Sequence, residues 1–192
     1  LLAKHGYTFT YVDTSYPERV AEAIRPETKM VWIETPTNPL LKVSDVKAIA
    51  DIAHQHGIPL GVDATFATPA LLRPLEWGAD IVMHSTTKYI SGHNQLIGGA
   101  VLTNDADFHE SMRFQQKAIG AVPSPFESWL TLLGLKTLSL RMERHSSTGR
   151  QIAEFLEAHP QVSWVSYPGL ESHPRHQVAA EQMSAFGGMI SF

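Results

Sequence analysis

Hydroxyl groups and one amine follow one another directly in the segment Ser85-Thr86-Thr87-Lys88. Hydroxyls, together with the backbone N–H groups of a turn, suit a phosphate. The Lys88 amine could be a counter-charge for that phosphate, or a nucleophile that forms a Schiff base with a carbonyl compound. Asp63 comes earlier in the chain, directly after an apolar run, and its carboxylate could hold a cation below the same site.

A phosphate site, a lysine amine and a carboxylate are together the groups that pyridoxal 5′-phosphate (PLP) requires. The lysine forms the internal aldimine, and the carboxylate keeps the pyridine nitrogen protonated so that the ring accepts electrons. The nucleotide-binding strings G-x-x-x-x-G-K-[ST] and G-x-G-x-x-G do not occur in the sequence. These groups therefore favour PLP over a nucleotide, with the Lys88 amine as the candidate for the covalent aldimine.

Apolar runs of strand length alternate with amphipathic segments through the first half of the chain. Strands are predicted at residues 9–13, 29–35, 58–63, 80–85 and 99–103. This alternation predicts an α/β fold with a mostly parallel sheet and right-handed crossovers. Because ligands bind at the carboxyl ends of the strands in such sheets, we expect the loops at 34–38, 63–68 and 85–93 to form one site.

Capping residues predict two helices between these strands. Ser15 and Glu18 have the spacing of a capping box. Ser44 is the predicted N-cap of the next helix, and Gly57 is its predicted stop. Apolar residues recur in this helix at i, i+3, i+4 and i+7, namely Val46, Ile49, Ala50 and Ala53.

The second half of the chain has a different pattern. A capping box at Ser124-Pro125-Phe126-Glu127 precedes a long helix predicted from Trp129 to about Ala158, with a bend near Gly134 or Gly149. Beyond Pro160, short strands at 162–167 and 188–192 flank a short helix at 174–183. We predict a PLP-binding large domain (part) at 1–145, and at 146–192 a connecting helix and the beginning of a small C-terminal domain. Since residue 1 is Leu and 187–192 resemble an interrupted strand, we expect a fragment of a longer protein.

Composition excludes several classes of protein. Fifteen Lys and Arg against 19 Asp and Glu give a net charge of −4, which is unlike the basic footprint of a nucleic-acid binder. No run of 18 apolar residues is long enough to span a membrane. The absence of cysteine excludes disulfides, thiolate metal sites and a cysteine nucleophile. We predict a soluble cytoplasmic protein that acts on a small molecule and binds neither nucleic acid nor membrane.

The histidines do not predict a metal site. His54 and His56 end an amphipathic helix, where imidazoles favour the helix dipole and face water. His173 and His176 also lack a third ligand at a convincing spacing.

Three motifs resemble the Cys/Met metabolism family of PLP-dependent enzymes: Glu34-Thr35-Pro36-Thr37-Asn38-Pro39, Val62 to Pro69, and His84 to His93. The similarity continues through 123–126, 134–138 and 141–145, in the correct order over nearly the whole chain. It implies fold-type-I, aspartate-aminotransferase-like architecture. It also implies β/γ-elimination or γ-replacement on sulfur-containing or O-acylated amino acids, of the cystathionine γ-synthase or γ-lyase type. Such enzymes are homo-oligomers, dimers or tetramers, whose active site is shared between subunits.

The resemblance assigns roles position by position. Lys88 is the PLP lysine, Asp63 is the partner of the pyridine nitrogen, and Ser85 and Thr87 bind the phosphate. The remaining two assignments are Asn38, near the cofactor O3′ and the substrate, and Thr65, against the face of the ring. The sequence departs from the family at Ala64, where members often have Asn, and at Asn94-Gln95, where many have a Ser-Asp-like pair.

Other interpretations of these residues remain open. Ser85 and Thr87 could serve only the hydrogen bonds of a turn, and Asn38 lies in a proline-flanked segment that favours a turn by itself. The whole protein could be another fold-type-I PLP enzyme, such as an aminotransferase, or a non-catalytic α/β module. The sequence does not distinguish γ-synthase, γ-lyase, β-lyase and sulfhydrylase.

Overall fold

The structure, a computed structural model, describes residues 2–192. Its strands form one sheet in the order β1-β2-β3-β4. Their bounds are Val31–Glu34 for β1, Leu60–Asp63 for β2, Ile81–Ser85 for β3 and Gly99–Thr103 for β4. The first three strands are parallel, and β4 is antiparallel to β3. The predicted α/β class with a mostly parallel sheet is therefore confirmed.

Seven α-helices accompany this sheet in the described part of the chain. They are α1 Pro17–Ala23, α2 Val46–Gln55, α3 Thr68–Leu71, α4 Ala106–Ile119, α5 Pro125–Leu135, α6 Leu138–Glu157 and α7 His176–Gln182. Short 3-10 helices lie at Leu2–His5 and Pro74–Trp77, and a wider turn of π-type at Thr86–Ile90 follows β3 directly. The helical turns after β2 and β3 therefore begin at the carboxyl edge of the sheet.

The main core lies between α2 and the sheet. The four apolar residues predicted at helical spacing in α2 are all buried, and they pack against Ile33, Leu60 and Val62 of the strands. A second cluster joins the turn after β3 to the C-terminal helices through Ile90, Met142 and other apolar side chains. These two clusters fix the strand ends and the Thr86–Ile90 turn relative to each other.

The C-terminal residues are joined to the start of α2 by one buried side chain. The side-chain oxygen of Gln182 (Oε1) accepts the Val46 N–H at 3.2 Å, and the side-chain nitrogen of Gln182 (Nε2) donates to the Ser44 backbone carbonyl at 2.8 Å. All three residues are buried. A buried polar group that loses its partner keeps its desolvation cost, so this pair of bonds is important for stability.

Replacing Gln182 with leucine should therefore destabilise the protein. The substitution conserves much of the volume but leaves the Val46 N–H and the Ser44 carbonyl without partners. We expect the free energy of unfolding to fall by about 2–3 kcal/mol, measured by urea denaturation of the complete protein. Gln177→Leu, at an exposed position of the same helix, is the control. Equal denaturation midpoints for the two variants would contradict this role of Gln182.

Residues 9–13 do not form the predicted strand. Phe9 and Tyr11 are 54% and 93% exposed, and only Val12 of this run packs against the main core. β1 is an edge strand, and no strand of residues 2–192 pairs with its outer side. An apolar run becomes a strand only where a partner offers its backbone groups.

Two predicted helix caps are displaced by one residue. Tyr16 precedes α1 without any side-chain cap bond, so Ser15 is not the cap. Asp45 caps α2 and accepts an N–H of the first turn at 2.9 Å. Ser44 is instead buried, and its hydroxyl shares a hydrogen bond of 2.7 Å with that of Thr14. This long-range contact occupies the side chain that the sequence assigned to the cap.

The long helix predicted at 129–158 is two helices, α5 and α6. The break follows Gly134 closely, as predicted, whereas α6 continues through Gly149. The capping box at the start of α5 is confirmed. The Ser124 hydroxyl accepts the Glu127 N–H at 3.1 Å, and the Glu127 carboxylate accepts the Ser124 N–H at 2.9 Å.

The segments after α6 are mostly irregular. Ser166 and Ser191 form one isolated antiparallel bridge where two short strands were predicted, and α7 lies within the predicted helix at 174–183. The proposed domain boundary at 145/146 falls inside α6.

Among residues 2–192 no helix is long and apolar enough to cross a membrane. The same part of the chain contains no group of three or more His, Asp or Glu side chains placed to hold a metal ion. His54 lies 2.9 Å from the Asp80 carboxylate, whereas His173 and His176 bond to backbone carbonyls at 3.1 and 2.8 Å.

Candidate active site

The carboxyl ends of β1, β2 and β3 meet at one edge of the sheet. Glu34, Asp63 and Ser85 are the last residues of these strands, and Glu34 is paired in register with Asp63. Asp63 is in turn paired with Met83, two residues before the end of β3. The three predicted loops therefore start from the same edge.

Hydrogen bonds connect the loop after β2 to the end of β3. The Asp63 Oδ1 atom accepts the Thr65 N–H at 2.9 Å, and the Thr65 hydroxyl accepts the Ser85 N–H at 2.8 Å. Asp63, Thr65 and Ser85 are all half-buried. This chain of bonds fixes three of the predicted site residues relative to one another.

His84 lies behind this loop and was missed by the sequence analysis. It is buried in β3, and its Nδ1 lies 3.2 Å from the Ala64 carbonyl oxygen. Burial lowers the pKa of His84, and the bond to Ala64 and the nearby Asp63 carboxylate oppose that effect only in part. His84 is therefore a neutral imidazole at physiological pH, and its Nδ1–H donates to the backbone between Asp63 and Thr65.

Lys88 is on the wide turn that follows β3 directly. Its backbone departs from helical geometry, with φ −88° and ψ −124°. The side chain is exposed, and within residues 2–192 its amine makes no hydrogen bond or ion pair. The amine is thus available to react at the carboxyl edge of the sheet.

Two hydroxyls near Lys88 have different surroundings. The Thr87 hydroxyl accepts the Gly98 N–H at 2.9 Å and donates to the Gly98 carbonyl at 3.3 Å. The Ser85 hydroxyl has no partner within the described residues. Thr87 therefore joins the turn at Thr86–Ile90, called the lysine turn below, to the segment before β4. Its hydroxyl must exchange a partner before it can donate to a phosphate. The predicted phosphate contact of Thr87 stays a prediction.

Asn38 reaches the site through Glu34. Its side chain is exposed, and its backbone N–H donates to the Glu34 Oε1 atom at 3.2 Å. Partial burial, followed by the repulsion of Asp63, raises the pKa of Glu34. Glu34 was not singled out as a site residue, although it begins the motif that contains Asn38. Its role is visible only from the register of β1 against β2.

Replacing Glu34 with glutamine should stabilise the protein near neutral pH. A carboxyl whose pKa is raised by folding binds more protons in the folded state, so its contribution to stability falls as pH rises through that pKa. Glutamine keeps an oxygen for the Asn38 N–H and removes the repulsion of Asp63. We expect a gain of about 0.5 kcal/mol at pH 7.5 that shrinks as the pH approaches 4.5.

The measurement is thermal denaturation of the complete protein at both pH values. Glu22→Gln, on the exposed side of α1, is the control. A pH dependence that is the same in Glu34→Gln and in the unsubstituted protein would contradict the assigned coupling between Glu34 and Asp63.

Comparisons with known proteins give a consistent result. A model of the family described as Cys/Met metabolism PLP-dependent enzyme matches residues 1–192. A probable cystathionine gamma-synthase of Herpetosiphon aurantiacus is 51% identical over 191 residues, which is 100% of this chain and 60% of that protein. A cystathionine gamma-lyase of Dictyostelium discoideum is 51% identical over 190 residues, 99% of this chain and 49% of that protein.

Solved structures agree with the sequence relatives. The crystal structure of a cystathionine gamma-lyase from Lactobacillus plantarum, complexed with L-serine, has a TM-score of 0.97 and 44% identity. The match covers 99% of this chain and 50% of that one. The chain likewise spans between about half and three fifths of the length of the two sequence relatives. The predicted fold-type-I architecture is confirmed.

Proposed function

The chain belongs to the Cys/Met metabolism PLP-dependent enzyme family, and from that premise we propose that the whole protein is a PLP-dependent carbon–sulfur lyase or transferase. It catalyses β/γ-elimination or γ-replacement on sulfur-containing or O-acylated amino acids. The reaction is of the cystathionine γ-synthase or γ-lyase type, which relatives of both names support at 51% identity. The observation that carries the proposal is the convergence of Asp63, Ser85 and Lys88 at one sheet edge.

The chemistry of these side chains fits PLP. Lys88 offers an exposed amine for covalent attachment, and Asp63 offers a carboxylate for the ring nitrogen. The Ser85 hydroxyl lacks a partner in the described residues and suits a phosphate oxygen. When bound, the cofactor supplies an electron sink for charge that develops at the substrate Cα.

Lys88 moves protons in this proposal. Its Nζ atom would remove the proton from the substrate Cα and return it to Cγ or to the leaving group. Lys88 is exposed and makes no ion pair within residues 2–192, so no carboxylate holds its amine away from the substrate.

Asp63 would hold a proton on the ring nitrogen of the cofactor. The bond from the Thr65 N–H fixes one carboxylate oxygen, so the other can face the ring. Thr65, whose hydroxyl accepts the Ser85 N–H, would lie against the face of the ring. Asn38 would contact the cofactor O3′ and the substrate from the loop in which its N–H bonds to Glu34.

The larger organisation is also a proposal. Residues 1–145 belong to the PLP-binding large domain, and 146–192 contain the connecting helix and the beginning of the small domain. The functional unit is a cytoplasmic homo-oligomer, a dimer or tetramer with active sites shared between subunits. Exposed apolar side chains on α5 support this arrangement, because Phe126, Trp129 and Leu132 are all more than half exposed.

Product analysis of the complete, PLP-loaded protein tests the proposed function. The substrates are cystathionine, O-acyl-homoserine with cysteine, and methionine, each assayed separately. We expect a carbon–sulfur bond to be broken or formed in at least one reaction, and the preferred substrate identifies the subclass. Amino transfer to a keto acid with no change at sulfur would contradict the proposal and indicate an aminotransferase.

A further inference from the structure

The side chain of Arg141, on α6, reaches the turn that carries Lys88. One terminal nitrogen donates to the Tyr89 carbonyl at 2.6 Å and the other to the Ile90 carbonyl at 3.4 Å. These carbonyls belong to the two residues directly after Lys88, where the backbone leaves helical geometry. Because backbone carbonyls withdrawn from water need a donor, the guanidinium stabilises a turn that is not a regular helix.

The same guanidinium is itself held in a fixed orientation. It donates to the Gly134 carbonyl at 2.8 Å, and its Nε donates to the Thr137 hydroxyl at 3.0 Å. Arginine has five donors in one rigid plane, whereas a lysine ammonium is a point charge on a flexible stem. Arg141 thereby connects the end of α5 to the lysine turn with defined angles.

Two glycines allow this close packing. A Cβ atom at Gly134 would lie 2.4 Å from the carbonyl oxygens of Ile90 and Ser91. A Cβ atom at Gly92, where φ is +74°, would lie 2.4 Å from a terminal nitrogen of Arg141. The α5 backbone and the guanidinium therefore contact the lysine turn directly, without room for a side chain.

The charge of Arg141 has no carboxylate partner in the described residues, since its hydrogen bonds there go to three carbonyls and one hydroxyl. Desolvation lowers the pKa of Arg141. Partial removal of a cation from water costs free energy, and the hydrogen bonds to the turn offset it. If residue 141 only filled space, an apolar side chain would do so without the free-energy cost of removing a charge from water.

We infer that Arg141 is a positioning residue that holds the backbone of the lysine turn so that the Lys88 amine is presented to PLP in a fixed orientation. This inference rests on the proposed function of Lys88. Arg141 acts through the carbonyls of Tyr89 and Ile90. Its loss increases the conformational freedom of the turn, slows covalent capture of PLP and lowers kcat, with little effect on the substrate KM.

The test compares Arg141→Lys, Arg141→Ala and the milder Thr137→Val in the complete protein. Arg150→Ala, exposed on the same helix and paired with Glu154, is the matched control. We expect kcat to fall by about 100-fold in both Arg141 variants, and amide hydrogen exchange at residues 86–92 to accelerate. Thr137→Val should show the same changes to a smaller extent, and the control should show neither.

Chemical rescue separates positioning from general stability. Millimolar guanidinium chloride should restore PLP capture in Arg141→Ala, whereas methylammonium should not, because only the planar cation can bridge the carbonyls. Unchanged exchange at 86–92 with unchanged PLP capture in both Arg141 variants would overturn the inference. An Arg141→Ala protein that neither salt rescues, together with a Thr137→Val protein like the unsubstituted one, would overturn it as well.

The exchange experiment is also performed on the protein without PLP, so that it does not depend on the proposed function. If the unsubstituted protein captured no PLP at Lys88, the proposed function would fail. In that case faster exchange in Arg141→Ala would still show that Arg141 holds the turn.

Discussion

Replacing Lys88 with alanine should lower turnover by about 10⁴-fold or more. The substitution removes both the amine that binds the cofactor covalently and the group that moves the Cα proton. The fold should survive, because the Lys88 side chain is exposed and makes no hydrogen bond within residues 2–192. The measurements are steady-state turnover, the visible absorbance of lysine-bound PLP and far-UV circular dichroism.

Lys117→Ala, at an exposed position of α4, is the control for this prediction and should retain full turnover and absorbance. A folded Lys88→Ala protein with turnover within tenfold of the unsubstituted enzyme would contradict the assignment. It would mean that another base removes the Cα proton.

Replacing Asp63 with asparagine should leave PLP covalently bound but slow the removal of the Cα proton. Asparagine keeps an oxygen that can accept the Thr65 N–H, whereas it cannot keep the ring nitrogen protonated. A loss of about 3–4 kcal/mol of transition-state stabilisation would lower the rate by 10²- to 10³-fold. Exchange of the substrate Cα proton in deuterated water measures this step directly.

Asp51→Asn, exposed on α2 and paired with Lys47, is the matched control. It should exchange the Cα proton at the normal rate. An Asp63→Asn protein with the same exchange rate would show that the carboxylate is not coupled to the ring nitrogen, and the assignment of Asp63 would be wrong.

The local features of the fold were predictable from the sequence. Four of the five strands predicted in the first half of the chain, the apolar spacing of α2 and the capping box at Ser124 depend on neighbouring residues, and the structure confirms them, with strand ends within two residues of those predicted. The family predicted from three loop motifs is also confirmed. In each case the signal lies within a few residues, so the three-dimensional partner does not need to be known.

α4 was missed although local signals were available. Asp105 caps it by accepting the Phe108 N–H at 2.8 Å, and Gly120 ends it with φ +79°. None of its residues is buried. The apolar spacing that identified α2 is therefore weak in α4, and the capping residues at its two ends are the remaining local signal.

Contacts between distant parts of the chain could not be predicted. The Thr65–Ser85 bond, the His84–Ala64 bond and the contacts of Arg141 join residues that are close only after the strands and helices have packed. The displaced cap at Ser44 has the same cause, because a partner far along the chain competes for a hydroxyl that is locally well placed. The candidate site residues were thus predictable by type, whereas the contacts that hold them in place were not.

Borohydride reduction tests the central claim most directly. The complete protein is loaded with PLP, reduced, digested and mapped by mass spectrometry to find the lysine that carries the pyridoxyl group. We predict modification of Lys88 alone, with loss of the label in Lys88→Ala and its retention in Asp63→Asn. A pyridoxyl group on a different lysine, or none on any lysine of the loaded protein, would contradict the assigned active site.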